Sequence, residues 1–243
     1  MNKVNILIPM AGNGSRFADK GYKMPKPLIS VFGRPMISWV INNFDKIQNK
    51  RFIFICRTEH EKKYKISEEL RKLSPDCHLI FIDALTEGAA CTTLLAKEKI
   101  NNDDQLIIAN SDQFVKWDES EFLAFCQDGL DAGILTFPSQ AQKWSYAKLD
   151  EASFVNEVAE KKVISEEATV GIYYWKHGSD YVKFAEQMIE KNMRVNNEFY
   201  VCPVFNEAIA DGKKIKTFQI ERDAMWGLGT PEDLEHFLQN YKG

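Results

Sequence analysis

The chain has 243 residues, 44% of them hydrophobic and 27% charged, enough to bury one sizeable core in a soluble globular domain. Its formal net charge of −4 offers no basic field for a nucleic-acid backbone, so a polymer partner is not expected, whereas a small anionic substrate needs only a local cluster of cations. The five cysteines are odd in number and form no C-x-x-C pair, which argues against a disulfide framework or a zinc site, and the apolar run Val4–Pro9 is too short for a leader or a membrane span. A cytoplasmic protein with no membrane partner is the expectation.

Short apolar runs alternate with stretches of helical periodicity through the first half. Strands are predicted at Val4–Pro9, Arg51–Cys56, His78–Ile82, Gln105–Ala109 and Asp131–Phe137. Helices are predicted at Pro35–Lys46, Glu59–Leu73, Gly88–Lys99 and Glu119–Gln127. This order calls for βα units feeding a largely parallel sheet. Residues 145–158 read as a hairpin turning at Asp150–Ser153, so the sheet becomes mixed there. A strand at Thr169–Trp175, helices near Ser179–Lys191 and Phe199–Ala210, and a strand at Ile215–Gln219 follow. The last helix opens at Thr230-Pro231-Glu232-Asp233, with a side-chain cap, a proline where no donor is needed, and acids at the positive end of the dipole. No linker or repeat appears, so residues 1–243 read as one α/β domain.

Chemistry concentrates after the first strand. In Ala11-Gly12-Asn13-Gly14-Ser15-Arg16 the glycines permit a turn whose amides face an anion. Arg16 adds a planar fork of donors, and Lys26, between Pro25 and Pro27, adds a compact cation. The loop is not the dinucleotide fingerprint, because Phe17 stands at the third glycine position, and no Gly-Lys-Ser/Thr of a Walker loop occurs. The strand Leu106–Ala109 runs into Asn110-Ser111-Asp112-Gln113, which puts a carboxylate where open α/β sheets bind ligands. Magnesium needs only one or two protein carboxylates beside phosphate oxygens and water, so Asp112 is chemically sufficient. The small residues of Glu87-Gly88-Ala89-Ala90 would let a flat base approach the backbone. The four histidines show no metal spacing.

These pieces resemble the sugar-phosphate nucleotidyltransferase family, whose opening signature runs Gly-x-Gly-Ser/Thr-Arg and then Lys-Pro-Leu. Here they are Gly12–Arg16, Lys26-Pro27-Leu28 and, matching the start of the next helix, Gly33–Ile37. The resemblance implies a Rossmann-like three-layer α/β/α domain with a mostly parallel, mixed central sheet, akin to glycosyltransferase type A. It implies that Ala11 to Ser15, Glu87 to Ala90 and Ser111 bind a nucleoside triphosphate, that Arg16 and Lys26 act on its phosphates, and that Asp112 holds Mg2+. It further implies that Glu160, Lys161, Gly171 and Glu198 receive a sugar or polyol phosphate. Much of the family carries a second aspartate where this chain has Gly227, and Asp223 is a candidate substitute. The expected reaction joins the triphosphate to the phosphorylated acceptor with loss of pyrophosphate, with CTP weakly preferred and UTP or dTTP the alternatives. The compact capsular polysaccharide members are the subgroup most resembled. Two rivals are a glycosyltransferase, which Asn110-Ser111-Asp112 disfavours because it lacks the first acid of Asp-x-Asp, and a non-catalytic nucleotide-binding regulator.

Overall fold

The computed structural model describes residues 3–243. The elements in chain order are β1 (Val4–Pro9), α1 (Ser15–Asp19), β2 (Ser30–Val31), β3 (Arg34–Pro35), α2 (Met36–Asn42), β4 (Lys50–Arg57), α3 (Thr58–Tyr64), α4 (Ile66–Leu73) and β5 (His78–Ile82). Next come α5 (Ala89–Leu94), α6 (Lys97–Ile100), β6 (Gln105–Ala109), β7 (Gln113–Val115), α7 (Glu119–Gln127), β8 (Ala132–Pro138), β9 (Ser145–Leu149), β10 (Val155–Glu160) and β11 (Glu167–Trp175). The chain ends with α8 (Gly178–Glu190), α9 (Val204–Ala210), β12 (Ile215–Gln219), β13 (Met225–Gly227) and α10 (Pro231–Asn240).

A nine-stranded mixed sheet runs β10-β9-β11-β6-β1-β4-β5, with β8 paired to β11 and β12 paired to β8. β1 lies parallel to both β4 and β6, so the chain departs from β1 toward one side and returns on the other. That reversal opens a crevice at the carboxyl ends of β1 and β6, where α/β sheets bind ligands. β11 runs antiparallel to β6, and the sheet turns mixed from that point. Inward residues of β1 and β4, including Ile6, Leu7, Ile8, Phe54 and Ile55, are fully buried, as strands covered on both faces require.

Two predicted helices are broken. Lys65 adopts φ 50 and ψ 49, a left-handed conformation that divides Glu59–Leu73 into α3 and α4. The stretch Gly88–Lys99 divides into α5 and α6 at Leu95–Ala96. The predicted helix Phe199–Ala210 begins only at Val204, and residues 199–203 instead form an irregular segment ending in a turn, with Phe199 bonded to Glu87 and Ala90. Three short features carried no periodicity to betray them: α1, the β2–β3 pair and the β7–β13 ribbon. The ribbon matters most. It sets Gly227 opposite Gln113 and brings the late chain over the end of β6. A separate apolar cluster of Phe17, Val31, Met36, Trp39, Leu228, Leu234 and Phe237 ties α1, α2 and α10 together around it. Among the described residues no helix is long and apolar enough to cross a membrane.

Candidate active site

The glycine loop after β1 is anchored at its root, where Met10 N–H donates to Ile55 O at 2.9 Å and Ala11 is buried. Gly12 and Asn13 are exposed, Gly14 sits at φ 60, and Ser15 starts α1. The left-handed turn at Gly14 is one a side chain would disfavour, and a Cβ there would stand 3.5 Å from Lys26 Cβ. The loop and the lysine are therefore neighbours. Arg57, at the end of β4, donates from Nη1 to Asn13 Oδ1 at 2.8 Å, a support for the loop that no sequence pattern announced.

Lys26 opens a 3-10 turn whose prolines stiffen it. Its Nζ donates to Asp112 Oδ2 at 2.8 Å, with each side chain about one-fifth exposed (22% and 22%). Asp112 is fixed in turn by its backbone, since Leu228 N–H donates to Asp112 O at 2.8 Å. A Cβ at Gly229 would lie 2.7 Å from Asp112 Oδ2, so a side chain there would force the carboxylate to shift.

A cleft of about 430 Å³ gathers seven of the predicted residues: Arg16, Lys26, Ala89, Ser111, Asp112, Glu160 and Lys161. β10 delivers Glu160, which accepts a short hydrogen bond from Ser145 Oγ. Burial raises the Glu160 carboxyl above the usual carboxylate range, while Ser145 and Lys161 oppose the shift. Lys161 has φ 54, which turns the chain as it leaves β10, and its Nζ donates to Tyr200 Oη at 2.6 Å. Burial likewise raises the Tyr200 phenol, opposed by the hydrogen bond from Lys161 and aided by one with Glu198.

Other predicted residues act from outside the cleft wall. Gly171 sits at φ +89 where β11 is irregular, and it accepts from Asn110 N–H at 2.9 Å. A Cβ there would come within 2.3 Å of the Asn110 side chain, so this glycine serves the loop holding Asp112. Glu198 is exposed at the rim beside Tyr200. In the small-residue segment, Glu87 O accepts from Phe199 N–H at 2.8 Å and Ala90 N–H donates to Phe199 O at 2.9 Å. Gly88 O accepts from the hydroxyls of Thr86 and Thr92. Much of this backbone is thus engaged with the protein, and Ala89 is the member that lines the cleft. Asp223 does not line this cleft; it lines a neighbouring cavity of about 570 Å³ with Arg222, Trp226 and His236, which Lys143, Gly227 and Asp233 also border.

Sequence reasoning missed Lys143, Trp144, Ser145, Thr169, Tyr173, Tyr200, Cys202 and Gly229 as cleft residues. Asp233 was legible only as a helix-start acid, yet it too lines the cleft.

A model of the nucleotidyl transferase family matches residues 6–242. The chain belongs to that family. It is 24% identical over 251 residues to the bifunctional protein GlmU of Campylobacter fetus subsp. fetus, covering 99% of this chain and 55% of that protein. The chain thus spans about half the length of the curated relatives it matches. A solved nucleoside-diphosphate-sugar pyrophosphorylase from Vibrio cholerae RC9 superposes with a TM-score of 0.80 at 26% identity, covering 97% of this chain and 100% of that one. An inositol-1-phosphate CTP transferase from T. maritima shares the fold alone, with a TM-score of 0.76 at 12% identity and 100% and 99% coverage. The mixed α/β architecture and the sugar-phosphate nucleotidyltransferase type read from the motifs are both borne out.

Proposed function

We propose that the protein transfers a nucleotidyl group from a nucleoside triphosphate to a sugar or polyol phosphate, releasing pyrophosphate and yielding an activated precursor of a surface or capsular glycan. One observation carries this reading: the cations Arg16 and Lys26, the carboxylate of Asp112 and the Glu160-Lys161 pair line a single cleft. A phosphate oxygen of the acceptor forms a bond to the α-phosphorus as the bond to the bridging oxygen of pyrophosphate breaks. No group of the protein need form a covalent intermediate, so catalysis rests on positioning and charge.

The exposed amides of Gly12 to Ser15 face the β- and γ-phosphates, with Arg16 clamping their oxygens. Lys26, now 2.8 Å from Asp112, exchanges that partner for the charge that develops at the α-phosphate. Lys161 leaves the Tyr200 hydroxyl to take the acceptor phosphate. Glu160, Glu198 and the Ser145 and Tyr200 hydroxyls offer partners for acceptor hydroxyls. The hard oxygen donors of Asp112 fit Mg2+, which when bound neutralises triphosphate charge. CTP is the weakly favoured nucleotide, on the resemblance of Pro9-Met10-Ala11-Gly12 to cytidylyltransferase loops. A cytoplasmic setting, where nucleoside triphosphates are made, accords with this chemistry.

The test is pyrophosphate release across a panel of triphosphates and sugar or polyol phosphates. Turnover is expected with one pair, and Lys26→Ala should lower kcat by about 100-fold or more, the scale of losing one preorganised charge contact. Triphosphate binding without turnover on a broad panel would favour a non-catalytic regulator, and turnover of a preformed nucleotide sugar would favour a glycosyltransferase.

A further inference from the structure

Asp233 is the third residue of the first turn of α10, held there because its N–H donates to Thr230 Oγ1 at 3.1 Å. Its side chain reaches the same cleft as Asp112. Lys143 Nζ donates to Asp233 Oδ1 at 2.8 Å, and Oδ2 faces Gly227, where a Cβ would stand 3.6 Å away in ordinary contact. Two residues on, a Cβ at Gly229 would meet Asp112 Oδ2 at 2.7 Å. The two carboxylates therefore abut one short run, Gly227 to Gly229. That run is immobilised by the β7–β13 ribbon and by the bond from Leu228 to Asp112.

We propose that Asp233, together with Asp112, holds the divalent cation of the cleft, its carboxylate entering from α10 across a position that Gly227 leaves without a side chain. The donor set fits Mg2+, which takes one or two protein carboxylates and fills its remaining positions with phosphate oxygens and water. No group of three or more acids, histidines or cysteines suited to a metal occurs among the described residues, so a larger protein cage is not competing. Lys26 and Lys143 occupy the carboxylate oxygens that a cation would share, and each therefore opposes metal binding. Asp233 also borders the neighbouring cavity that Asp223 lines, but of the two only Asp233 lines the cleft of Asp112.

The inference rests on the nucleotidyl-transfer reading, but metal binding without substrate tests it separately. Mn2+ alone is titrated into the full chain and the free ion is followed by electron paramagnetic resonance. The wild type should bind in the low-millimolar range or tighter. Asp112→Asn and Asp233→Asn should each weaken binding by about tenfold or more, the scale expected when a metal site loses a partner. Lys143→Ala should tighten it several-fold, and that gain should vanish in the Asp233→Asn background, a coupling that a purely structural ion pair would not give. Circular dichroism establishes that each variant is folded. The proposal is overturned if Asp233→Asn or Lys143→Ala leaves Mn2+ affinity unchanged, or if the folded wild type binds no Mn2+. Pyrophosphate release by that same protein would then leave the proposed function standing on other ligands.

Discussion

Gly88→Ala should damage the protein far beyond the loss of one hydrogen atom. Gly88 has φ 138 and ψ 175, in a region that is essentially restricted to glycine, and occupying it with alanine costs about 1–3 kcal/mol. The new Cβ would also stand 2.4 Å from Phe199 O and 2.5 Å from Phe199 N, both backbone atoms that no rotamer can move aside. Relief requires residues 199–200 to retreat from α5. The retreat breaks the bonds from Phe199 to Glu87 and from Ala90 to Phe199, each worth about 0.5–1.5 kcal/mol net. Lower entropy of the unfolded alanine chain returns about 0.4–1 kcal/mol. The net loss is about 1–5.5 kcal/mol, or a fall in Tm of about 3–16 °C at roughly 3 °C per kcal/mol for a chain of this size.

Urea unfolding and thermal melting measure the loss, and a KM shift for the acceptor measures its reach, since Phe199 carries Tyr200 into the cleft. Gly12→Ala is the contrasting variant. Nothing lies within 4 Å of its added Cβ and its φ is not in the left-handed region, so Tm should hold while triphosphate turnover falls as the methyl enters the phosphate space. A Gly88→Ala melt within about 2 °C of the wild type would refute the reasoning, because it would place the Phe199 backbone elsewhere.

Lys161→Met should raise the acceptor KM by about tenfold or more while the triphosphate KM changes little, as expected for a charged contact worth at least about 1.4 kcal/mol. An equal rise in both constants would remove Lys161 from acceptor binding. His60 is buried, its Nδ1 has no partner, and burial first, then Arg57, hold its pKa below the ordinary 6.5. The unfolded chain therefore takes up the proton more readily, and the stability that neutral His60 contributes is present above pH 6.5 and lost as pH falls through the lower native value. His60→Leu should flatten this acid limb in urea titrations, and an unchanged slope would show that other groups set it.

The parts of the site that were legible in the sequence are those whose chemistry is local. Gly12 to Arg16 and Lys26 announce themselves because a tight anion-facing turn and a proline-stiffened cation each need particular residue types within a few positions. Asp112 is legible because a strand end fixes where its side chain emerges. The strands of the parallel half are equally plain, since burial on both faces forces continuous apolar runs such as Leu106–Ala109. The helix break at Lys65 was not legible, because a non-glycine left-handed residue leaves no compositional mark, and the break at Leu95–Ala96 carries neither glycine nor proline to announce it.

The remainder of the cleft depends on approach between distant segments. Lys143 pairs with Asp233 across 90 positions, and Lys26 with Asp112 across 86, and neither pairing has a periodicity that spacing could expose. The glycines show why. Gly227 reads in the sequence as an acid that is missing, and the natural search looks along the chain to Asp223. Asp223 precedes β13 and lines only the neighbouring cavity, while the α10 cap sets Asp233 where it borders both that cavity and the cleft of Asp112. A side chain can leave a site without its charge leaving, provided another element faces the same space. Here the helix start that supplies the replacement is fixed by Thr230 and Pro231, so local capping chemistry places an acid that long-range topology then puts to use.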